Sequence, residues 1–395
     1  MRDRFNHTPR ADVDVAVIGA GTVGALTLWQ LSQREGLSVM GIEHHGRAHG
    51  EGSYAGESRL FRLAYKEGPL YVPLLVESRR MWHQLQQEAG VEMFLPVGAL
   101  SVGPADRAEM QATRDTIEAF DLPHRMLDNS ELRREYPQHA VGGDDVAILD
   151  SQGGGIRPEV AVLNALRLAE ERGVQIRYRS PVLAIEPDAA GVTVRTMSGD
   201  VRARHVVVSA GSWASRLVGA TADLLTVQRL VLAWFMPRDI DHYAPQHFPV
   251  FMRDVGDVHL FGAPSLDGYS VKVSPGHVGL PAARTPEELT SGVDSRMRAL
   301  LGARVHECFP DMNPEPVRVS EHHDAFTADR VPIVDFDDTG RVVFVAGLSG
   351  HGFKLAPVFG RMACDLVVDG ESDWWRAEFG LGAHMERASR VDDRL

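Results

Sequence analysis

The run "EHHDAF" at residues 321–326 sets two imidazoles and two carboxylates within six positions. Such a set reads first as a metal site. On an extended strand, however, His322 and His323 point to opposite faces, and spacing places no third ligand beside them. No metal is therefore expected. Upstream, "EGSYAGESRLFRLAY" (51–65) carries Arg59 and Arg62 three positions apart. The segment reads as a polar loop entering an amphipathic helix, on which the two guanidinium groups would share a face.

The elements that must position these groups begin with "DVAVIGAGTVGALTLWQLSQREG", a strand-like run leading through Gly19, Gly21 and Gly24 into a helical pattern. In this G-x-G-x-x-G arrangement Gly19 permits a tight turn and Gly21 lets the backbone approach a pyrophosphate. Gly24 lets helix and strand pack closely, and the helix N-terminus offers unpaired N–H groups to the phosphates. The next strand, "LSVMGIE", ends in Glu43, placed to hydrogen-bond ribose hydroxyls and unsuited to the 2′-phosphate of NADP. It does not separate NAD from FAD.

Further along, helical periodicity covers "YVPLLVESRRMWHQLQQEAG" and "DRAEMQATRDTIEAF", with a strand pair at "FLPVGALSVG" between them. Residues 157–211 alternate helix and strands and end on a buried strand before Gly211, and 221–323 are mostly strands with one helix. "RVVFVAGLSGHGFKLAPVFGRMACDLVVDG" closes with a buried strand, a glycine-rich turn and a long helix. The fold class is α/β, a Rossmann-like dinucleotide domain interleaved with an α+β substrate domain built on an antiparallel sheet. The expected boundaries are 12–86, 148–220 and 324–385 for the first domain, 87–147 and 221–323 for the second, and flexible tails at 1–11 and 386–395.

Composition narrows the partners. A formal charge of −13 disfavours nucleic acid and anionic membranes, which need a basic face. Cys308 and Cys364 are the only cysteines, which gives neither a metal spacing nor a disulfide framework and suggests a reducing, cytoplasmic setting. The N-terminal residues lack the apolar stretch of a signal peptide, and "LLTVQRLVLAWFM" is too short to span a bilayer. A soluble monomer is expected.

Three motifs together, "GAGTVG", "GESRLFRLAY" and "GLSGHGFK", resemble the monomeric sarcosine oxidase family of FAD-dependent amine oxidases, with support from "VVVSAGSW". The resemblance runs from about residue 12 to residue 370. It implies FAD between the two domains, removal of a hydride equivalent from the C–H beside a secondary amine, hydrolysis of the resulting imine, and reduction of O2 to H2O2. Arg62 falls where the family binds the substrate carboxylate, and Lys354 where its lysine partner sits. An arginine fork with a lysine point charge suits that anion, and two cations in one apolar cavity are costly unless an anion or water joins them. Lys272 falls on a lysine that speeds O2 reduction, where a fixed cation stabilises developing negative charge. Ser53, Ser58, Arg59, Gly211 and Trp213 are implied as cofactor neighbours. Gly350, His351, Gly352, Phe353 and Lys354 would line the flavin edge on which charge gathers.

Some positions depart from the family. Phe261 stands where sarcosine oxidases have an active-site tyrosine, so any role of that hydroxyl is absent. Asp324 stands where they have another tyrosine, and faces the substrate or caps a turn. His322 occupies the place of the cysteine that links FAD covalently in many relatives, and Tyr54 and Ala55 replace histidines of the preceding loop. Non-covalent FAD is the simplest expectation, with a histidyl link through His322 as the alternative. The function expected is oxidation of a secondary or N-substituted α-amino acid by O2. The alternatives are a flavin dehydrogenase serving an electron carrier, a NAD-dependent dehydrogenase, or a non-catalytic dinucleotide-binding protein.

Overall fold

A computed structural model of the protein describes residues 11–276, 282–289 and 291–392. Its first sheet is parallel at the centre, with Gln175–Arg177, Val39–Ile42, Val13–Ile18, Val201–Val208 and Val342–Ala346 side by side. A parallel sheet is covered on both faces, and the central strand shows why its residues are almost all apolar. Val15 and Val17 enter one core with the helices Thr22–Leu31, Pro158–Glu171 and Gly352–Asp369, while Ala16 and Ile18 enter the other. That second core lies under the meander Val182–Asp188 and Gly191–Thr196.

The second sheet has eight strands in the order Arg318–Phe326, Thr226–Phe235, Val271–Pro275, Val258–Ala263, Val250–Val255, Ala99–Pro104, Asp145–Asp150 and His124–Leu127. All neighbours are antiparallel except Val250–Val255 beside Ala99–Pro104. Alternation divides its side chains cleanly. Val231, Ala233, Phe235, Val271 and Val273 face a core shared with the helix Ser295–Cys308. Gln228, Leu230 and Trp234 lie on the other face, in register with Asp324, His322 and Lys272. That face looks toward the glycine-rich end of the first sheet, so the interleaved chain builds a cleft between two frameworks. The mixed α/β architecture agrees with the sequence reading.

Several local expectations change. No helix forms at Arg59 and Arg62: Arg59–Phe61 is a short strand on Gly154–Ile156, and the helix Val72–Ala89 begins only after Gly68 and Pro69. Pairing with a distant strand overrides local periodicity. The two strands around 94–104 form but do not pair with each other, because Phe94–Leu95 joins Gly154–Ile156 instead. The expected boundaries at 147/148 and 323/324 cut Asp145–Asp150 and Arg318–Phe326, which each stay whole in the large sheet. At the C-terminus the helix Leu381–Asp392 runs into the region expected as a tail, while residues 1–10 and 393–395 of the expected tails lie outside the described residues. No helix among the described residues is long and apolar enough to cross a membrane.

Candidate active site

A cavity of about 1220 Å3 fills the cleft. One end is made by the glycine turn. Gly19 has φ +86°, and a Cβ on Gly24 would lie 1.7 Å from the Gly19 carbonyl oxygen, so these two glycines serve the fold of the turn itself. Gly21 differs: its φ is −71°, and a Cβ there would meet only the Tyr54 ring at 3.8 Å. Its bareness leaves room for whatever enters the cavity. No side chain caps the Thr22–Leu31 helix, so its first N–H groups are open to an anion. Glu43 ends the second strand, accepting from Ala20 N–H at 2.7 Å and His45 N–H at 2.7 Å, with His49 Nε2 at 3.3 Å. Burial opposes its charge, but these donors keep it below the usual carboxylate range. The open turn, the uncapped helix and a buried, ionised Glu43 fit the diphosphate and ribose of a dinucleotide.

A second uncapped helix N-terminus, at Gly352, opens on the same cavity, with Gly350, His351, Phe353 and Lys354 on the wall. Asp324 holds this turn: its carboxylate accepts from Gly350 N–H at 2.8 Å and from Ala325 N–H at 2.9 Å. Half-buried on the cavity wall, Asp324 has its pKa pushed up by desolvation. Bracing the turn ahead of the helix is thus its visible work, although it also lines the cavity. Ser53, Gly211 and Trp213 line it too, Ser53 by way of a loop tied through its hydroxyl to the His323 carbonyl at 2.6 Å.

Arg62 and Lys354, distant in sequence, meet at this cavity. Arg62 Nη2 lies 3.3 Å from both carboxylate oxygens of Glu67, its Nε has no partner among the described residues, and its guanidinium stands over the Tyr65 ring. Lys354 Nζ is 3.4 Å from the Tyr65 hydroxyl and from the Gly350 carbonyl, with no carboxylate within ion-pair distance among the described residues. Burial, then the neighbouring Arg62, pulls its pKa down to about 8. Glu67 stays below the carboxylate norm despite burial because Arg62 and Lys354 face it. The Tyr65 hydroxyl also bonds to His351 Nδ1, and burial lowers the His351 pKa to about 3, so that ring is neutral.

A second cationic pair sets Arg59 on the cavity wall and Lys272 off it. Arg59, its pKa lowered to about 10 by burial, donates to the carbonyls of Ser53, Ala55 and Ser58 at 2.6–2.8 Å. Lys272 is 1 % exposed and donates to the Gly56 carbonyl at 3.0 Å and the Ser58 carbonyl at 2.7 Å, with the Trp234 ring 5.7 Å away. Burial and then Arg59 hold its pKa well below that of an ordinary lysine. Lys272, Ser58, Gly24 and His322 are not on the cavity wall, whereas Phe261 is. His322 turns its Nε2 to Ser320 Oγ at 3.0 Å and leaves Nδ1 buried without a partner among the described residues. Burial, then Arg59, brings its pKa to about 4. His323 goes the other way, to Ser212 Oγ at 2.9 Å and the Trp213 ring.

Sequence reasoning missed Glu67, Tyr65 and Glu159. Glu67 and Tyr65 lie within five positions of Arg62, a local signal that was available. Glu159 Oε1 accepts from Gly56 N–H at 2.6 Å and Glu57 N–H at 3.2 Å, and so braces the loop whose carbonyls hold Lys272. Only the folded arrangement shows that link.

The chain is similar to known proteins over most of its length. Residues 14–366 match the family described as FAD dependent oxidoreductase. A monomeric sarcosine oxidase of Streptomyces avermitilis is 31% identical over 90% of this chain and 94% of its own. An N-methyl-L-tryptophan oxidase of Yersinia pestis is 32% identical over 91% and 95%. Among solved structures, NikD, an unusual amino acid oxidase essential for nikkomycin biosynthesis, superposes with TM-score 0.83 over 94% of this chain and 98% of its own at 22% identity. With a family match over most of its length and relatives above 30% identity, the chain belongs to the FAD dependent oxidoreductases of the amino acid and N-methyl amino acid oxidase kind.

Proposed function

We propose that the protein oxidises a secondary or N-substituted α-amino acid to its imine and reduces O2 to H2O2. The observation that carries this reading is the meeting of Arg62 and Lys354, with Lys354 lacking an acidic partner among the described residues, on the wall of the cavity that fits the dinucleotide. Bound FAD supplies the two-electron acceptor and the reactivity toward O2. The chain supplies position. Arg62 offers a fork to the substrate carboxylate and Lys354 adds charge, which fixes the amine-bearing carbon in one orientation. Glu67 holds Arg62 until a carboxylate competes for it. No side chain need act as a strong base if the amine binds deprotonated. His351 is neutral and joined to Tyr65, which suits it to orienting that hydroxyl. Lys272, carried on the sheet and fixed by two carbonyls, would be the preorganised cation for O2 reduction.

The cofactor is proposed to be non-covalent, since His322 lies off the cavity wall and is engaged by Ser320. Yellow colour left in the supernatant after acid precipitation is the expected result. The activity is tested by offering sarcosine, proline, pipecolate, N-methyltryptophan and fructosyl-amino acids under air and measuring H2O2. Turnover that needs an added electron acceptor and yields no peroxide would replace the oxidase with a dehydrogenase.

A further inference from the structure

The same cavity carries a cation that the carboxylate clamp does not use. Lys66 lines it, half-buried, and senses Arg62 and Glu67 as well as Asp254 and Glu109. Every neighbouring carboxylate is already engaged. Glu67 lies on Arg62 at 3.3 Å and Glu109 on Arg107 at 3.1 Å. Asp254 takes His259 Nδ1 at 2.6 Å and Arg107 at 3.7 Å. Lys66 has no hydrogen bond and no carboxylate within ion-pair distance among the described residues. Burial first, and Arg62 second, lower its pKa against the opposing pull of Glu67, Asp254 and Glu109. The same cavity wall also carries the cross-strand pair Met252 and Phe261, with His259 two residues from Phe261 on the same face.

We propose that Lys66 is a second anion-binding position and that the substrate is an N-substituted α-amino acid bearing a second carboxylate, an inference that rests on the carboxylate clamp proposed above. Met252 and Phe261 suit the methylene groups between the two anions. The second carboxylate belongs to either the side chain or the N-substituent, which is one chemistry on two branches. Lys66 meets it as a flexible point charge and is not itself required for chemistry at the amine.

The test titrates the FAD-loaded protein with glutarate and with glutaramate, which match in shape but differ by one charge, while following the visible flavin spectrum. Glutarate is expected to bind at least tenfold more tightly. That advantage should fall below twofold in Lys66→Met and persist in Lys66→Arg. Equal binding by the wild-type protein, or an advantage that survives Lys66→Met, overturns the second position and leaves the clamp standing. If neither compound binds, the clamp itself is wrong and this inference falls with it. Turnover then locates the branch. N-methylglutamate favoured over N-methylglutamine puts the carboxylate on the side chain, and iminodiacetate favoured over sarcosine puts it on the N-substituent. No preference in either pair overturns the substrate class.

Discussion

Two cations are buried on the same eight-stranded sheet, one on each face, and they are treated differently. Arg253, 2 % exposed, lies on the core side and meets Asp145 at 2.6 Å and the Ala140 carbonyl at 2.8 Å. Lys272, 1 % exposed, lies on the cavity side and has only carbonyls and a Trp234 ring, with no acid in ion-pair contact among the described residues. A buried ion is expensive to desolvate, and a paired one is compatible with a purely structural role. An ion left without its opposite charge destabilises the fold and persists where charge develops during work. Arg62, Lys354 and Lys66 extend the pattern across the cavity, with Glu67 the one acid in ion-pair contact with the clamp among the described residues.

Breaking each cation separates the two roles. Arg253→Met strands Asp145 in the core and should cost about 3–5 kcal/mol in chemical denaturation. Lys272→Met removes no acid's partner, so stability should hold or rise while reoxidation of the reduced enzyme by O2 slows roughly 100-fold or more. Equal losses of stability in the two variants would collapse the contrast.

The core face holds a second probe. His139 packs against Phe248, Phe251 and Phe309 with neither ring nitrogen bonded, and burial lowers its pKa to about 3. A base whose folded pKa is depressed contributes its full stability above the unfolded value near 6.5, and loses it as pH falls toward the folded value. Between pH 7 and pH 5 the wild type should lose about 2 kcal/mol through this residue. His139→Leu should show a shallower decline in urea titrations at the two pH values. An identical decline would assign the acid sensitivity elsewhere.

On the cavity face the corresponding titration concerns ligand binding. Lys354, with its pKa near 8, is charged below that value and neutral above it. Carboxylate inhibitors should therefore weaken about tenfold per pH unit above roughly pH 8, and Lys354→Met should flatten that limb.

What could be read in advance follows from how local each feature is. The Gly19–Gly24 turn and Glu43 were legible because a single strand–turn–helix unit demands them. The helical reading of Arg59 and Arg62 failed because Gly154–Ile156, far along the chain, captures Arg59–Phe61 as a strand. Nothing local joins Arg62 to Lys354, and only the motif resemblance brought them together. For Asp324 the sequence leaves both substrate contact and turn cap open; its bonds to Gly350 and Ala325 brace the turn while the side chain also lines the cavity. Glu67 and Lys66 sit beside Arg62 in sequence but gain meaning only once the cavity shows which charges already have partners.

The most direct test compares the best N-substituted amino acid with the amine that lacks its carboxylate, as kcat/KM, in wild type and in Arg62→Met/Lys354→Met. Wild type should prefer the amino acid by a factor on the order of 1,000 or more, and the double variant should bring that preference close to one. A preference unchanged by the double substitution would show that the carboxylate is held elsewhere.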